Sequence, residues 1–444
     1  MHKIQYVLAL FLVLIAAHCT APKRTESTSV TSQKPINTTA TENMNGNTTP
    51  QETFFKRLFT ENETTLGFVP GKMKAYNIQV IYTQINRDAQ NNPTFHTYSY
   101  PGESAAYYYP ASTVKLPIVL LALQKLQELK SKHITKYSSM ITDAGYSGQT
   151  ATYNDPNTPD GRPCIAQYIK RILLVSDNDA FNRLYEFLGQ EYINKELHKK
   201  GYASAQILHR LDVYLTADEN RHTNPIRFYD TAGNLLYEQS MQYNRTKYQE
   251  RNDVQGNAYY DGNHVLQQKP MNFSGKNRLN LESLHKILMS IVMPQSVHAN
   301  QRFNISEEDR LFVLKYMGAY PAESVYPSYG KSYYDTWVKF LYYGSDKSPV
   351  QNSIRIFNKS GNAYGQLTDA AYIVDFDKKI EFFLSATINC NTDGILNDDA
   401  YDYIGLGYPF MKNLGNAIYR EELNRRKKYL PNLAEYQFNF AAEN

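Results

Sequence analysis

Ser112 and Lys115 stand three positions apart in Ser112-Thr113-Val114-Lys115. On one helix that spacing puts both side chains on a shared face, as hydrogen-bonding neighbours. A serine hydroxyl is a weak nucleophile until a base lies within reach of its proton. A lysine can be that base where burial and a second cation favour its neutral amine. Lys359, in Lys359-Ser360-Gly361, supplies such a cation and can also anchor an anion. Ser176, in Ser176-Asp177-Asn178, adds a second hydroxyl that can pass a proton to a leaving nitrogen. With Ser112 at a helix N-terminus, its own N–H and that of Asn362 would face a developing oxyanion. The strings therefore point to acyl transfer through a covalent serine ester.

Each string alone has an ordinary structural meaning. A Ser-x-x-Lys pair is expected about once or twice in a chain of this size at average usage, and it recurs at Ser283/Lys286 and Ser328/Lys331. Ser, Asp and Asn are all good helix caps, and Lys359-Ser360-Gly361 reads by itself as a strand edge or turn. Their order and flanking sequence carry the weight.

The elements that must position them follow from periodicity. Tyr76–Ile85 and Phe95–Tyr100 alternate around an Asn/Pro turn and predict an antiparallel hairpin. Leu116, Val119, Leu120, Leu123, Leu126 and Leu129 predict a helix from Ser112 to about Leu129, with Pro117 early enough to be tolerated. Residues 163–188 predict further helices, one of them beginning at Ser176. Leu281, Leu284, Leu288 and Val292 mark another, ending before Pro294. Strands return at Ser353–Phe357, Tyr372–Phe376 and Glu381–Ile388, the last two joined by a turn at Asp377-Lys378-Lys379. A helix from about Pro409 to Lys427 follows. Strands at both ends of a helical middle predict an α/β (α+β two-layer) fold. Its antiparallel sheet is formed from N- and C-terminal segments, and the site lies in the groove against a mostly helical subdomain of about 112–345.

These motifs and their flanks resemble the class A β-lactamases and penicillin-binding proteins. Ser176-Asp177-Asn178-Asp179-Ala180-Phe181-Asn182-Arg183-Leu184, closing with Leu188-Gly189, is similar to the family's second-motif helix. Lys359-Ser360-Gly361-Asn362-Ala363-Tyr364-Gly365, followed by Asp369-Ala370, is similar to its Lys-Thr-Gly strand, and Tyr109-Pro110-Ala111 to the usual entry to the nucleophile. The resemblance spans roughly residues 70–425. It implies a serine β-lactamase-like hydrolase acylated at Ser112, with Asn178 on the substrate amide and Lys359, Ser360 and Gly361 at its carboxylate. It also implies a glutamate base on a loop after the second motif, with an asparagine four residues beyond. Arg210-Leu211-Asp212-Val213 resembles that loop's entry. Glu219 is then the best candidate base and Asn224 the best partner, although they are five apart, with Asp218 or His222 as substitutes and a solvated carboxylate as the plain reading of Glu219.

The separation between second and third motifs exceeds the family's. The extra chain, about 226–275, is rich in Tyr, Asn and Gln. Tyr259 to Val265 within it reads as a hairpin with an Asp261-Gly262 turn. Such an insertion either roofs the cleft or decorates the surface.

His2 and Lys3 precede an apolar run from Ile4 to Ala17, too short for a membrane span and suited to a signal peptide over residues 1–18. Ala16-Ala17-His18-Cys19 resembles a lipoprotein box, with His18 as its departure, so Cys19 is either lipidated or lost with an ordinary leader. Residues 19–52 are Thr/Ser/Asn-rich and read as a tether, leaving 53–444 as the catalytic domain. Either processing route exports the protein, to the periplasm or outer membrane. Cys164 and Cys390 pair in a disulfide or remain free thiols. The 444 residues carry a net charge of +4, too little to indicate nucleic acid, and 42% hydrophobic residues, ample for a core. Much of the tyrosine (38 residues, against a single Trp337) sits beside Asn and Asp and is expected on loop and insertion surface. No histidine spacing or glycine-rich loop calls for a metal or cofactor. Asp398, Asp399 and Asp402 form a solvated loop or, less simply, a Ca²⁺ site. The expected partner is a β-lactam or D-Ala-D-Ala-like small molecule, bound by a monomer. The leading activity is β-lactam hydrolysis. A D-alanyl-D-alanine peptidase or esterase is the alternative, and a non-catalytic ligand sensor the third.

Overall fold

A computed structural model describes residues 50–66, 73–101 and 105–440. The leader, Cys19 and the tether up to residue 49 lie outside the described residues. Helix α1 (Pro50–Glu61) begins three residues before the expected domain start at 53. Its Phe55, Leu58 and Phe59 are buried, and Phe54 stacks on Tyr98 with ring centroids 4.3 Å apart.

The sheet joins both ends of the chain. Its strands are β1 (Gln79–Arg87), β2 (Pro93–Tyr100), β3 (Ile354–Ala363), β4 (Gln366–Asp375) and β5 (Ile380–Asn389), in the antiparallel order β3-β4-β5-β1-β2. This is the α/β arrangement, with an antiparallel sheet built from both chain ends, that the sequence predicts. β3 and β4 run beyond the apolar segments that foretell them, because polar residues at the site end continue the ladder through Lys359↔Ala370 and Gly361↔Thr368. Successive side chains alternate faces. Val80, Tyr82, Ala371 and Ile373 enter a core shared with α1, while Ile81, Ile85, Ala370 and Tyr372 enter the larger helical core. The outer face is thus covered too, by α1 and by α6 (Tyr408–Asn424).

The helical body holds α2 (Lys115–Glu128), α3 (Ile165–Val175), α4 (Asn178–Leu188) and α5 (Leu281–Val292). Two boundaries differ from expectation. Ala111–Val114 is a 3₁₀ turn that leads into α2. Ser176 does not begin a helix: it ends α3 in a left-handed conformation (φ 62°, ψ 38°), and the Asp177 carboxylate caps α4 through the N–H of Ala180 at 2.8 Å. The capping reading of this string therefore holds for Asp177.

Tyrosine is not confined to the surface. Tyr82, Tyr168, Tyr185, Tyr202 and Tyr372 are among the largest fully buried side chains. Most meet the hydrogen-bond demand of a buried phenol: Tyr82 donates to Glu422 at 2.6 Å and Tyr372 to Glu381 at 2.7 Å. Cys164 and Cys390 are free thiols. Among the described residues no His, Cys, Asp and Glu cluster could hold a metal, and no helix is long and apolar enough to cross a membrane.

The insertion is not one unit. Its first part, Ile226–Tyr229 with Leu235–Gln239, forms a small sheet with Ser139–Thr142. Its second part pairs Ala258–Tyr260 with Leu266–Gln267 and, in parallel, with Ile395–Leu396. The anticipated hairpin is present, but His264 (φ 56°) rather than Gly262 takes the left-handed position of its turn.

Candidate active site

Three segments meet at Ser112: the 3₁₀ turn that carries it, the α3–α4 junction, and β3. β3 is an edge strand, and its close approach requires glycine. A Cβ on Gly361 would lie 2.6 Å from the Ser112 nitrogen and 2.9 Å from that of Thr113. Ala111, just before Ser112, holds φ 47°, a conformation that costs about 1 kcal/mol or more and persists only where the surroundings enforce it.

Lys115 is fully buried. Its Nζ donates to the Ser176 carbonyl at 2.5 Å and to Asn178 Oδ1 at 2.6 Å, with Ser176 Oγ at 3.3 Å. Desolvation, reinforced by the Lys359 charge, drives its pKa well below that of an ordinary lysine. All three contacts go to Ser176 and Asn178, so the amine is fixed at the α3–α4 junction.

Lys359, also buried, donates to Ser176 Oγ at 2.9 Å and to the Ser360 carbonyl at 2.6 Å. Burial lowers its pKa to about 7, against the opposing pull of Asp369. Behind it, Asp369 accepts the N–H groups of Phe340 and Leu341 at 3.1 and 3.0 Å, and the Asn358 amide at 2.8 Å. Lys339 Nζ donates to Asn358 Oδ1 at 2.9 Å and to the carbonyls of Met317 and Ile356 at 2.6 and 2.9 Å. Lys339 and Asp369 escape a reading of the sequence because nothing local distinguishes an interior ion network from surface charge.

Ser112, Asn178 and Asn362 line one large cleft of about 1180 Å³. Ser176, Ser360, Gly361 and Asn362 line a small cavity of about 150 Å³ beside Tyr334 and Trp337. The Ser360 hydroxyl, foreseen as a carboxylate donor, instead gives its proton to the Val338 carbonyl at 2.7 Å.

The loop residues fall elsewhere. Glu219 does not line the cleft. It sits in the short helix Ala217–Arg221 as the third residue of a capping box, accepting the Thr216 N–H at 2.7 Å, the Thr216 hydroxyl at 2.8 Å and the Ser147 hydroxyl at 2.7 Å. These bonds, the Thr216 N–H foremost, lower its pKa, the reverse of a base readied by burial. Asp218 accepts from Tyr146 at 2.6 Å, and His222 stacks on Tyr146 with ring centroids 3.6 Å apart. Neither reaches the cleft. Asn224 is fully buried and anchors the loop, donating to the carbonyls of Asp143 and Thr150 at 2.7 and 3.1 Å and accepting from Arg210 at 3.1 Å. It is not positioned to bind substrate. Asp212 is the unforeseen member: held at φ 57°, exposed and lining the cleft, its carboxylate accepts from the Asn178 amide at 3.3 Å.

Residues 78–253, carrying Ser112, Lys115, Ser176 and Asn178, match the model of the beta-lactamase enzyme family. No curated protein sequence matches the chain. Among solved structures, the beta-lactamase of Sphaerobacter thermophilus DSM 20745 is similar at 11% identity and TM-score 0.44, over 82% of this chain and 97% of that one. The class A beta-lactamase of Clostridium kluyveri DSM 555 gives 13% identity and TM-score 0.44, over 81% and 99%. PBP-A gives 14% and 0.44, over 82% and 96%.

Proposed function

We propose that the protein is an active-site serine hydrolase that forms an acyl-enzyme on Ser112 and reacts covalently with β-lactams. The observation that carries this reading is the fully buried Lys115, one helical turn from Ser112 in sequence, with its Nζ bonded to Ser176 and Asn178. Ser112 Oγ attacks the substrate carbonyl and its proton passes to Lys115. The carbonyl oxygen takes the negative charge against the N–H groups of Ser112 and Asn362. Lys115 returns the proton through Ser176 Oγ to the leaving nitrogen as the C–N bond breaks. Lys359 holds the substrate carboxylate and keeps positive charge near Lys115.

The fate of the acyl-enzyme divides two readings. The commitment of Glu219 to its capping box favours a peptidase or esterase that acts on D-alanyl-D-alanine-like or other acyl donors and releases β-lactams slowly. A β-lactamase with rapid turnover is favoured by Asp212, whose carboxylate reaches the polar cluster through Asn178. A non-catalytic sensor would have no use for an intact proton-transfer set. The leader and Cys19 support an envelope location with a lipid anchor, in the periplasm or at the outer membrane.

The test mixes the purified protein with a chromogenic cephalosporin and with benzylpenicillin, monitoring turnover and intact mass. The peptidase reading expects a stoichiometric adduct with a lifetime of minutes or longer. Turnover at many per second would replace it with the β-lactamase reading, and absence of any adduct would refute acylation.

A further inference from the structure

The insertion and the residue that follows it form one wall of the large cleft, through Tyr248, Arg251, Ser274, Gly275 and then Lys276. We propose that Lys276 is a second anion-binding position, selecting acyl donors that carry a carboxylate on the acyl side of the scissile bond. The proposal rests on acylation at Ser112.

Lys276 is presented on a rigid platform. Its Nζ donates to the Tyr364 hydroxyl at 3.1 Å and lies 4.9 and 5.7 Å from the ring centroids of Tyr364 and Phe273. Tyr364 holds φ 53° and Gly365 φ 75°, the two positive angles of a tight hairpin turn between β3 and β4. A bulky aromatic is unusual at the first of them, where Asn or Gly is normal. It is kept there by edge-on packing against Tyr109 and Phe273, both with centroids 5.2 Å away. Tyr109 leads directly into the nucleophile turn, so Lys276 and Ser112 are tied to the same aromatic cluster. The backbone of Lys276 is fixed as well: the Arg251 guanidinium donates to the carbonyls of Phe273 at 3.3 Å and of Ser274 and Lys276 at 2.5 Å each.

Among the described residues no carboxylate pairs with Lys276, although Asp212, Glu250 and Asp399 line the same cleft. The nearby Asp253 is taken up by Arg251 at 3.2 Å and Arg278 at 3.3 Å. The two cavities divide the substrate. With the scissile carbonyl at Ser112, the leaving side enters the small cavity with Ser176, and the acyl side enters the large cleft with Asn178 and Lys276.

The test compares two penicillins of equal side-chain length, one adipyl with a terminal carboxylate and one hexanoyl without, by the rate of Ser112 acylation read from intact mass. Lys276→Met should slow the adipyl compound about 10-fold or more, the scale of one charge-assisted contact, and the hexanoyl compound less than about 2-fold. Tyr364→Phe, which removes the hydroxyl holding Lys276, should lose part of the same selectivity. Equal slowing of both compounds by Lys276→Met, or no slowing, overturns the subsite. If neither compound labels the wild-type protein, acylation at Ser112 itself falls and the subsite falls with it.

Discussion

Among the individual residues, the proposed chemistry depends on two buried lysines in opposite protonation states. Lys115 must be neutral to take the Ser112 proton, and Lys359 must be charged to hold a carboxylate. kcat/KM reports the free protein. It should therefore rise with pH as Lys115 loses its proton, then fall as Lys359 loses its own at about 7. In kcat the falling limb should sit at higher pH, because a bound carboxylate stabilises charged Lys359. Lys359→Arg, which stays charged, should move the falling limb of kcat/KM well above pH 7. An unchanged limb would remove Lys359 from that role. Glu219 yields the opposite expectation. Glu219→Gln, which keeps an acceptor for the Thr216 N–H and so retains the capping box, should leave the lifetime of the acyl adduct within about 3-fold. Adduct decay tracked by mass measures it. The sequence misleads at this residue because a carboxylate on the right loop fits the family's base, whereas the Thr216-x-x-Glu219 pattern in the same stretch is the signature of a helix start. Asp212→Asn separates the two readings of deacylation, leaving a slow adduct unchanged under the peptidase reading.

Among the elements, the proposed site depends on how closely β3 approaches the Ser112 turn. Gly361→Ala would drive a methyl group against the Ser112 and Thr113 nitrogens and push the strand aside. Displacement of this order costs on the order of 10²-fold in rate. The acylation rate constant should fall by that much while the protein still folds, as judged by its thermal melt. Near-wild-type acylation would mean that the strand edge does not shape the oxyanion site. The apolar core of each catalytic element was legible. Alternation located β1, β2 and the apolar halves of β3, β4 and β5, and helical spacing located α2 and α5. The ends were not, since Ser176 breaks a continuous apolar pattern only through its left-handed backbone, which no periodicity records.

For the molecule as a whole, the sheet assembled from both chain ends was legible because strands flanked a helical middle. Its outer helical cover, and the burial of tyrosines whose hydroxyls pair with Glu422 and Glu381, were not, because those partners lie outside the local pattern that periodicity reads. The insertion is visible in sequence as an excess of length holding one hairpin, but its long-range pairing is not. Its strands pair with segments from elsewhere in the chain, Ser139–Thr142 and Ile395–Leu396. Export with a lipid anchor carries its own expectation. In cells expressing the full chain, Cys19→Ser should shift the protein from the membrane to the soluble fraction, whereas an unchanged partition would mean that Cys19 is not the anchor. Every step of the proposed chemistry begins with acylation of Ser112, and peptide mapping of the benzylpenicillin adduct probes that step without intermediaries. One penicilloyl group is expected on the peptide containing Ser112, and none in Ser112→Ala. An adduct on another residue, or an undiminished adduct in Ser112→Ala, would refute Ser112 as the nucleophile.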